Sequence, residues 1–232
     1  MTYLKAEAPL VQKLDRFFSS MASLINTPQE VSLLSEHYYS RNQKVESDPK
    51  YWEFTLRNQL FRFKTDNGVF SKKEVDFGSR VLIEAFKMPD VDGPVLDVGC
   101  GYGPIGLSIA KNYPERIVHM IDVNERAIEL ARDNAEQNSV HNVDIYESDT
   151  LTNVKESNFA AILTNPPIRA GKKTVHAIFK QSHEHLVACG ELWVVIQKKQ
   201  GAPSAIEKLK ELFTTVETID KSKGYFIIRA VK

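Results

Sequence analysis

From Gly93 to the C-terminus, short apolar runs alternate with segments of helical periodicity, and this alternation constrains the fold more than any other feature of the sequence. Such alternation produces a parallel sheet that is covered by helices on both faces. The last two strands are joined only by residues 220–224, which are too few for a parallel crossover, so these strands must be antiparallel. We predict strands at 95–98, 117–121, 143–146, 159–163, 191–196, 215–219 and 225–230, and helices at 105–112, 125–138, 175–187 and 205–213. The expected fold is α/β, with a mostly parallel seven-stranded sheet whose last strand is antiparallel.

The N-terminal third of the chain has a different pattern. Two runs, 51–56 and 60–65, alternate between apolar and polar residues around a short polar turn, which predicts a small β-hairpin. Helical periodicity follows at 77–86. We therefore divide the chain into an N-terminal extension at 1–34, a hairpin and helix at 35–90, and the main α/β domain at 91–232.

Composition narrows the possible partners. The 30 Lys and Arg residues balance the 30 Asp and Glu residues, so no global basic field indicates nucleic acid, although a local basic patch is compatible with this balance. Cys100 and Cys189 lack the spacing of metal ligands and are typical of reduced thiols. No apolar run approaches the roughly 20 residues that span a membrane. We expect a cytoplasmic protein that binds neither a metal nor a membrane, and the sequence does not indicate its oligomeric state.

A glycine-rich loop follows the first strand of the α/β region. Its sequence is Asp97-Val98-Gly99-Cys100-Gly101-Tyr102-Gly103, between a strand and a helix. Glycines at 99, 101 and 103 allow the backbone to approach a ligand closely, although such a loop can also be only a tight turn. The spacing differs from the dinucleotide pattern, and no Lys-Ser or Lys-Thr follows as in a phosphate-binding P-loop. We predict that Asp97, Gly99, Cys100, Gly101 and Gly103 form part of a ligand site.

Two acids end the next two strands. Asp122 can accept hydrogen bonds from both hydroxyls of a ribose, and its alternative role is to cap the helix that begins near Glu125. Asp149 can receive an adenine amino group or can be an ordinary turn residue. We place Asp122, its neighbour Val123 and Asp149 in the same ligand site.

The most specific motif is Asn165-Pro166-Pro167-Ile168, directly after the fourth strand of the α/β region. In an open parallel sheet, ligands bind beyond the carboxyl ends of the strands, near the switch in strand order. The Asn165 amide oxygen and the Pro166 carbonyl can together accept hydrogen bonds from an exocyclic amino group, and Pro167 makes the turn rigid. Two such acceptors favour the pyramidal nitrogen that attacks an electrophile. The alternative is a plain turn, since Asn-Pro is common in turns.

The order of glycine loop, strand-end acid and Asn-Pro-Pro resembles the class I methyltransferases that modify amino nitrogens. The segments 67–71 (Asn-Gly-Val-Phe-Ser) and 165–172 are, more narrowly, similar to the RsmC-like family of small-subunit ribosomal RNA guanine-N2 methyltransferases, from about Ser35 to the C-terminus. The resemblance implies a Rossmann-like fold, S-adenosyl-L-methionine as the methyl donor, Phe70 and Ser71 close to that donor, and ribosomal RNA or the small ribosomal subunit as partner. Asn165 is then shared by the donor site and the acceptor site.

The chain departs from this family in two respects. The long forms of the family carry a second methyltransferase-like domain at the N-terminus that this sequence lacks. The usual aromatic residue after Asn-Pro-Pro, which would stack on a flipped base, is Ile168 here. The alternative acceptor is a protein glutamine amide, because that side chain also offers an amino group to Asn-Pro-Pro. A third possibility is a binding module that keeps the fold without catalysis, although the intact Asp97, glycines and Asn165 favour an enzyme.

Three basic segments have no assigned role at this level. Lys172-Lys173, Lys198-Lys199 and Lys221-Ser222-Lys223 are compatible with solvated turns or with contacts to phosphates.

The residues ahead of the family-like region suggest a different start of translation. Residues 29–31 (Gln-Glu-Val) can be encoded by CAG-GAG-GTN, which contains the bacterial ribosome-binding sequence AGGAGG. Leu34 can be encoded by TTG, an alternative start codon, at a suitable distance downstream. We hypothesise that translation starts at Leu34, read as Met; the alternative is an accessory amphipathic helix within 1–33.

We expect the intact mass of the natively expressed protein to exclude residues 1–33. A variant that lacks them should keep its thermal stability and ligand affinity, because residues that are not part of the native protein make few contacts with the domain. A genuine accessory helix would instead bury its apolar stripe against the domain, since isolated helices shorter than about 12 to 15 residues are marginal in water. A native mass that includes these residues would contradict the hypothesis.

Overall fold

The computed structural model describes residues 45–71 and 73–232, so the predicted N-terminal extension and residues 35–44 lie outside the described residues. The strands are β1 (Lys50–Leu56), β2 (Gln59–Thr65), β3 (Val95–Val98), β4 (Val118–Asp122), β5 (Val143–Glu147), β6 (Phe159–Thr164), β7 (Leu186–Gln197), β8 (Thr215–Ser222) and β9 (Tyr225–Val231). The helices are α1 (Phe77–Ala85), α2 (Pro104–Asn112), α3 (Glu125–Gln137), α4 (Lys172–His185) and α5 (Ala202–Leu212), with short 3₁₀ turns at Ile168–Ala170 and Lys198–Gln200.

The main sheet has seven strands in the order β5-β4-β3-β6-β7-β9-β8. Strand β9 is antiparallel to both of its neighbours, and the other pairings are parallel, as predicted. The chain moves outwards from β3 to β4 and β5, and then returns to β6 on the other side of β3. This switch in strand order opens a crevice at the carboxyl ends of β3 and β6, where ligands bind in such sheets.

The alternation of side chains along β3 separates two cores. Val95 points into an apolar cluster formed with α1, α2, α3 and the β1–β2 hairpin, and Leu96 points into a second cluster formed with α4 and α5. Both side chains are fully buried. Because successive side chains point to opposite faces, a strand that is covered on both sides is mostly apolar along its whole length, and this is why β3 and β6 were recognisable in the sequence.

Asn134 of α3 and Asn138, the residue that caps its C-terminus, attach the hairpin to the domain. The Asn134 amide accepts a hydrogen bond from the Lys64 N–H (2.7 Å) and donates to the Lys64 carbonyl (2.9 Å). The Asn138 amide makes the same pair with Arg62, at 2.8 and 2.6 Å. A helix advances about 6 Å over four residues and a strand advances about 6.6 Å over two, so the spacings match. The amides thus satisfy the outer edge of β2 as a neighbouring strand would.

The boundary between α4 and β7 differs from the prediction. The helix was expected to continue to Val187 and the strand to begin at Glu191, whereas the helix ends at His185 and the strand begins at Leu186. Leu186 pairs with Phe159 at the edge of β6, and the register shifts before the regular ladder begins at Glu191. Cys189 has a φ of 61° at this irregularity. The first part of β7 is therefore set by pairing with β6 and not by its own periodicity.

Candidate active site

A cavity of about 310 Å³ lies at the carboxyl ends of the central strands. Most of the residues predicted from the sequence line it: Phe70, Ser71, Gly99, Cys100, Gly101, Asp122, Val123, Asp149, Asn165, Pro166 and Pro167. They come from five separate segments of the chain, which the sheet topology brings together. Within the described residues, no group of three His, Cys, Asp or Glu side chains could hold a metal ion, and no helix is long and apolar enough to cross a bilayer.

Asp97 and Gly103 lie behind the cavity wall and do not line it. One oxygen of Asp97 accepts a hydrogen bond from the Gly106 N–H at 2.8 Å, and the other oxygen is buried without a partner. Gly103 precedes α2 with a φ of 101°, and a Cβ at this position would come within 2.9 Å of the Leu107 side chain. The geometry therefore gives both residues a role in the shape of the loop.

The rest of the glycine loop is hydrogen-bonded to the end of β4. The N–H groups of Gly99 and Cys100 both donate to the Ile121 carbonyl at 2.9 Å, and the Gly101 N–H donates to the Asp122 carboxylate at 2.9 Å. Gly99 and Gly101 have φ values of 76° and 57°, and a Cβ on either would meet nothing within 4 Å. Their open faces leave room for a ligand against the backbone, which any side chain would reduce.

Asp122 is fixed by the backbone around it. One carboxylate oxygen accepts from Gly101, and the other accepts from the Asn124 N–H at 2.9 Å. Burial raises the pKa of Asp122 above its ordinary value, and the neighbouring N–H groups oppose this increase. The alternative role as cap of α3 is wrong, since Asn124 is the capping residue and accepts from Arg126 and Ala127. A carboxylate oxygen has two lone pairs, so each oxygen retains capacity for a ligand.

Asp149 and the Phe70-Ser71 pair are positioned by hydrogen bonds that neighbouring residues make with Asp122 and Asn124. Ser148, before the exposed Asp149, donates its N–H to the Asp122 carbonyl at 3.0 Å, which fixes the end of β5 beside β4. The Asn124 amide donates to the Gly68 carbonyl at 3.0 Å, which places the following Phe70 and Ser71 on the cavity. The Phe70 side chain is 47% exposed.

Asn165 is oriented by two residues that the sequence interpretation missed. Its amide nitrogen donates to the Asp76 carboxylate at 2.9 Å and to the Ser79 hydroxyl at 3.1 Å. Because an ionised carboxylate only accepts hydrogen bonds, the nitrogen must face Asp76, and the amide oxygen is left for the cavity. Asp76 also caps α1, where it accepts from the Ser79 N–H at 3.0 Å. An Asp three residues before a Ser at a helix start signals a cap, but nothing local signals contact with Asn165.

The buried Asp97 should make the stability of the protein depend on pH. Burial raises the pKa of Asp97 to about 7, opposed by the hydrogen bond from Gly106 and assisted by the charge of Asp122. The carboxyl group has a higher pKa in the folded than in the unfolded chain, so its contribution to stability is complete below about pH 4 and is lost as the pH rises through about 7. We expect the free energy of unfolding to fall by a few kcal/mol over this interval.

Urea unfolding across this pH range measures the effect. Asp97→Asn keeps an acceptor for Gly106 and should reduce the slope of the free energy of unfolding against pH. The same substitution at the fully exposed Asp92 should leave this slope unchanged. Asp122 titrates in the same direction, so the slope should not vanish. An unchanged slope in Asp97→Asn would contradict the assignment.

Comparisons with known proteins identify the family of the chain. The model of the family described as methyltransferase small domain matches residues 60–229. An uncharacterized protein of Bacillus subtilis, YbxB, is 64% identical over 200 residues, which are 86% of this chain and all of that protein. Ribosomal RNA small subunit methyltransferase C of Vibrio parahaemolyticus is 32% identical over 187 residues, which are 79% of this chain and 53% of that protein.

A solved structure has the same fold. The Thermus thermophilus 16S rRNA N2 G1207 methyltransferase (RsmC), in complex with AdoMet and guanosine, superposes with a TM-score of 0.72 at 23% identity. The match covers 82% of this chain and 53% of that one. The chain thus spans about half the length of the methyltransferase C proteins that it matches.

Proposed function

The chain belongs to the methyltransferase small domain family and is an S-adenosylmethionine-dependent methyltransferase, and from this premise we propose that it methylates an exocyclic amino group, the N2 of guanine in small-subunit ribosomal RNA. The observation that carries the proposal is the Asn165 amide, whose nitrogen is held by Asp76 so that its oxygen is left for the cavity. We further propose that it acts in the cytoplasm, in keeping with a ribosomal acceptor.

The cavity fits the methyl donor. Gly99 and Gly101 leave open space beside the backbone, Asp122 has lone pairs that can accept from two ribose hydroxyls, and the exposed Asp149 can accept from an adenine amino group. When bound, S-adenosylmethionine supplies an electrophilic methyl group on its sulfonium centre. The protein's contribution is to bind, orient and exclude water.

The acceptor amine is held by Asn165 and Pro166. The Asn165 oxygen and the Pro166 carbonyl accept the two amino hydrogens, which favours a pyramidal nitrogen with its lone pair free to form the new bond. The Pro167 carbonyl accepts instead from the Ala170 N–H at 2.9 Å and fixes the turn. The nitrogen loses a proton after transfer, so no strong general base is required.

Two observations bear on the acceptor. The RsmC proteins that this chain resembles are named for ribosomal RNA, which favours a nucleic-acid amine over a glutamine amide. Ile168 is half-buried against the core formed with α4 and α5, so this position offers no aromatic ring for stacking on a base. Stacking must therefore come from another residue, and the exposed Phe70 at the cavity is a candidate.

Mass spectrometry of ribosomal RNA nucleosides tests the proposal. We expect N2-methylguanosine in small-subunit RNA to fall when the gene is deleted and to return with the wild-type gene, but not with Asn165→Ala. Transfer of a radiolabelled methyl group to isolated small subunits and to protein fractions complements this measurement. Label in a protein glutamine, with RNA unchanged, would support the alternative acceptor and contradict ours.

A further inference from the structure

Three lysine-containing segments that are far apart in the sequence lie at one edge of the sheet in the structure: the start of α4 (172–173), the 3₁₀ turn after β7 (198–199) and the β8–β9 turn (223–224). Strands β6, β7 and β8 are mutually parallel and end at the same edge of the sheet as the cavity. The N–H of Lys198, after β7, donates to the Gly224 carbonyl of the β8–β9 turn at 2.8 Å. Ala170 and Thr174, on either side of Lys172-Lys173, line the cavity. The three segments therefore belong to the margin of the sheet that carries the cavity.

This margin is cationic although the chain as a whole is neutral. Its exposed cations, which we call the basic edge, are Arg169, Lys172, Lys173, Lys198, Lys199 and Lys223. No acidic residue occurs in segments 165–173, 198–201 or 222–224. The acids at the cavity ends of β4 and β5, Asp122 and Asp149, lie on the other side of the switch point. The Asp76 carboxylate also lines the cavity, where it accepts a hydrogen bond from Asn165, while the basic edge presents positive charge to a polyanion.

Aromatic side chains accompany the cations. The Lys223 ammonium lies 4.8 Å from the centre of the Phe77 ring, and the Arg80 guanidinium lies 5.4 Å from the same ring. Tyr225 contacts Phe77 with ring centres 5.6 Å apart. Phe77 directly follows Asp76, the partner of Asn165. Cations interleaved with aromatic rings are typical of surfaces that bind a single nucleic-acid strand.

We propose that the basic edge binds the phosphates of the RNA strand that flanks the target nucleotide. This inference rests on the proposed function. Each lysine replaced should remove up to one phosphate contact, and each such contact contributes about 0.7 to the slope of log K against log salt for single strands.

The test compares two variants of equal charge. One replaces five edge lysines by Gln (Lys172, Lys173, Lys198, Lys199 and Lys223), and the control replaces five exposed lysines elsewhere (Lys50, Lys87, Lys155, Lys180 and Lys210). Fluorescence anisotropy with a labelled single-stranded RNA at several salt concentrations should show a slope smaller by about 2 to 3.5 and at least about tenfold weaker binding for the edge variant alone. Equal losses in both variants, or none in the edge variant, would overturn the proposal.

Two further measurements separate the possible failures. Polyglutamate of matched charge should compete poorly with RNA; equal competition would indicate an acidic protein partner and overturn the RNA assignment. Donor affinity should be the same in both variants. If the edge variant binds and methylates RNA normally while Asn165→Ala abolishes methylation, the proposed role of the basic edge is wrong and the proposed function stands.

Asp76 and Ser79 have a separate and independent role. Asp76 is 89 residues from Asn165 in the sequence, yet its carboxylate accepts from the Asn165 amide at 2.9 Å, and Ser79 accepts from the same nitrogen at 3.1 Å. A freely rotating amide could turn its nitrogen to the cavity and present a donor to an amine. We infer that Asp76, supported by Ser79, is a positioning residue that keeps the Asn165 oxygen directed at the acceptor.

A set of variants separates this role from the capping of α1. Asp76→Ser keeps a good cap but is too short to reach Asn165, while Asp76→Asn keeps both the cap and an acceptor oxygen. We expect Asp76→Ser to lower kcat at least about tenfold with unchanged donor affinity and melting temperature, and Asp76→Asn to retain most activity. Equally slow turnover in both variants would overturn the inference.

A double-mutant cycle gives a readout that a purely structural role would not produce. If Asp76 acts through Asn165, then Asp76→Ser should have no further effect on the residual activity of Asn165→Ala. A further loss of the same factor in that background would show that the two residues act independently and would contradict the assignment.

Discussion

Asn165→Ala should leave donor binding intact and lower kcat by about a hundredfold or more. The lost contact is to the acceptor amine and matters most in the transition state, so its removal is comparable to the loss of an oxyanion-hole donor. The Asn165 side chain donates hydrogen bonds to Asp76 and Ser79, whereas the glycine loop is hydrogen-bonded to the end of β4. Single-turnover kinetics on ribosomal RNA, with donor affinity from calorimetry, measure the two effects separately.

Asn153→Ala is the matched control. This exposed asparagine donates to the Glu147 carbonyl outside the cavity lining, so turnover should be unchanged. Normal turnover in Asn165→Ala would place the active site elsewhere. Loss of donor affinity equal to the loss of turnover would show that Asn165 belongs mainly to the donor site.

Asp122→Ala should lower donor affinity by a hundredfold or more. Two hydrogen bonds from ribose hydroxyls to a charged acceptor are each worth roughly 1.5 to 3 kcal/mol, and both are lost. The structure adds a second cause, since the same carboxylate accepts the Gly101 N–H at 2.9 Å and so fixes the loop that faces the donor. Isothermal titration with S-adenosylmethionine measures the affinity.

Asp122→Asn separates these causes. It retains one acceptor oxygen for the loop but loses the charge, and we expect an intermediate affinity. Asp92→Ala, at a fully exposed acid, controls for the change in net charge. Donor affinity that is unchanged in Asp122→Ala would rule out the ribose assignment.

The sequence was sufficient for features that depend on local spacing. The runs of β3 and β6 are buried at every position and mostly apolar, with Asp97 and Thr164 as the polar exceptions, because both faces of the sheet are covered, so each was visible without the rest of the fold. The short connection at 220–224 required an antiparallel last pair, and β9 has that direction. The glycine loop and Asn-Pro-Pro stood out because their chemistry is concentrated within a few neighbouring residues.

Only the tertiary structure decided the features that depend on contacts between distant segments. Asp122 was a plausible cap of α3 from the sequence alone, and the structure shows that Asn124 is the cap. The pairing of Asn134 and Asn138 with β2 joins residues 70 and 76 positions apart, which no local pattern signals. No local pattern signals the contact between Asp76 and Asn165 either, or the position of the lysine segments that the parallel strands bring to one edge of the sheet. A side chain's partner is set by the path of the whole chain, so the sequence indicated which residues carry chemistry and the fold determined which of them meet.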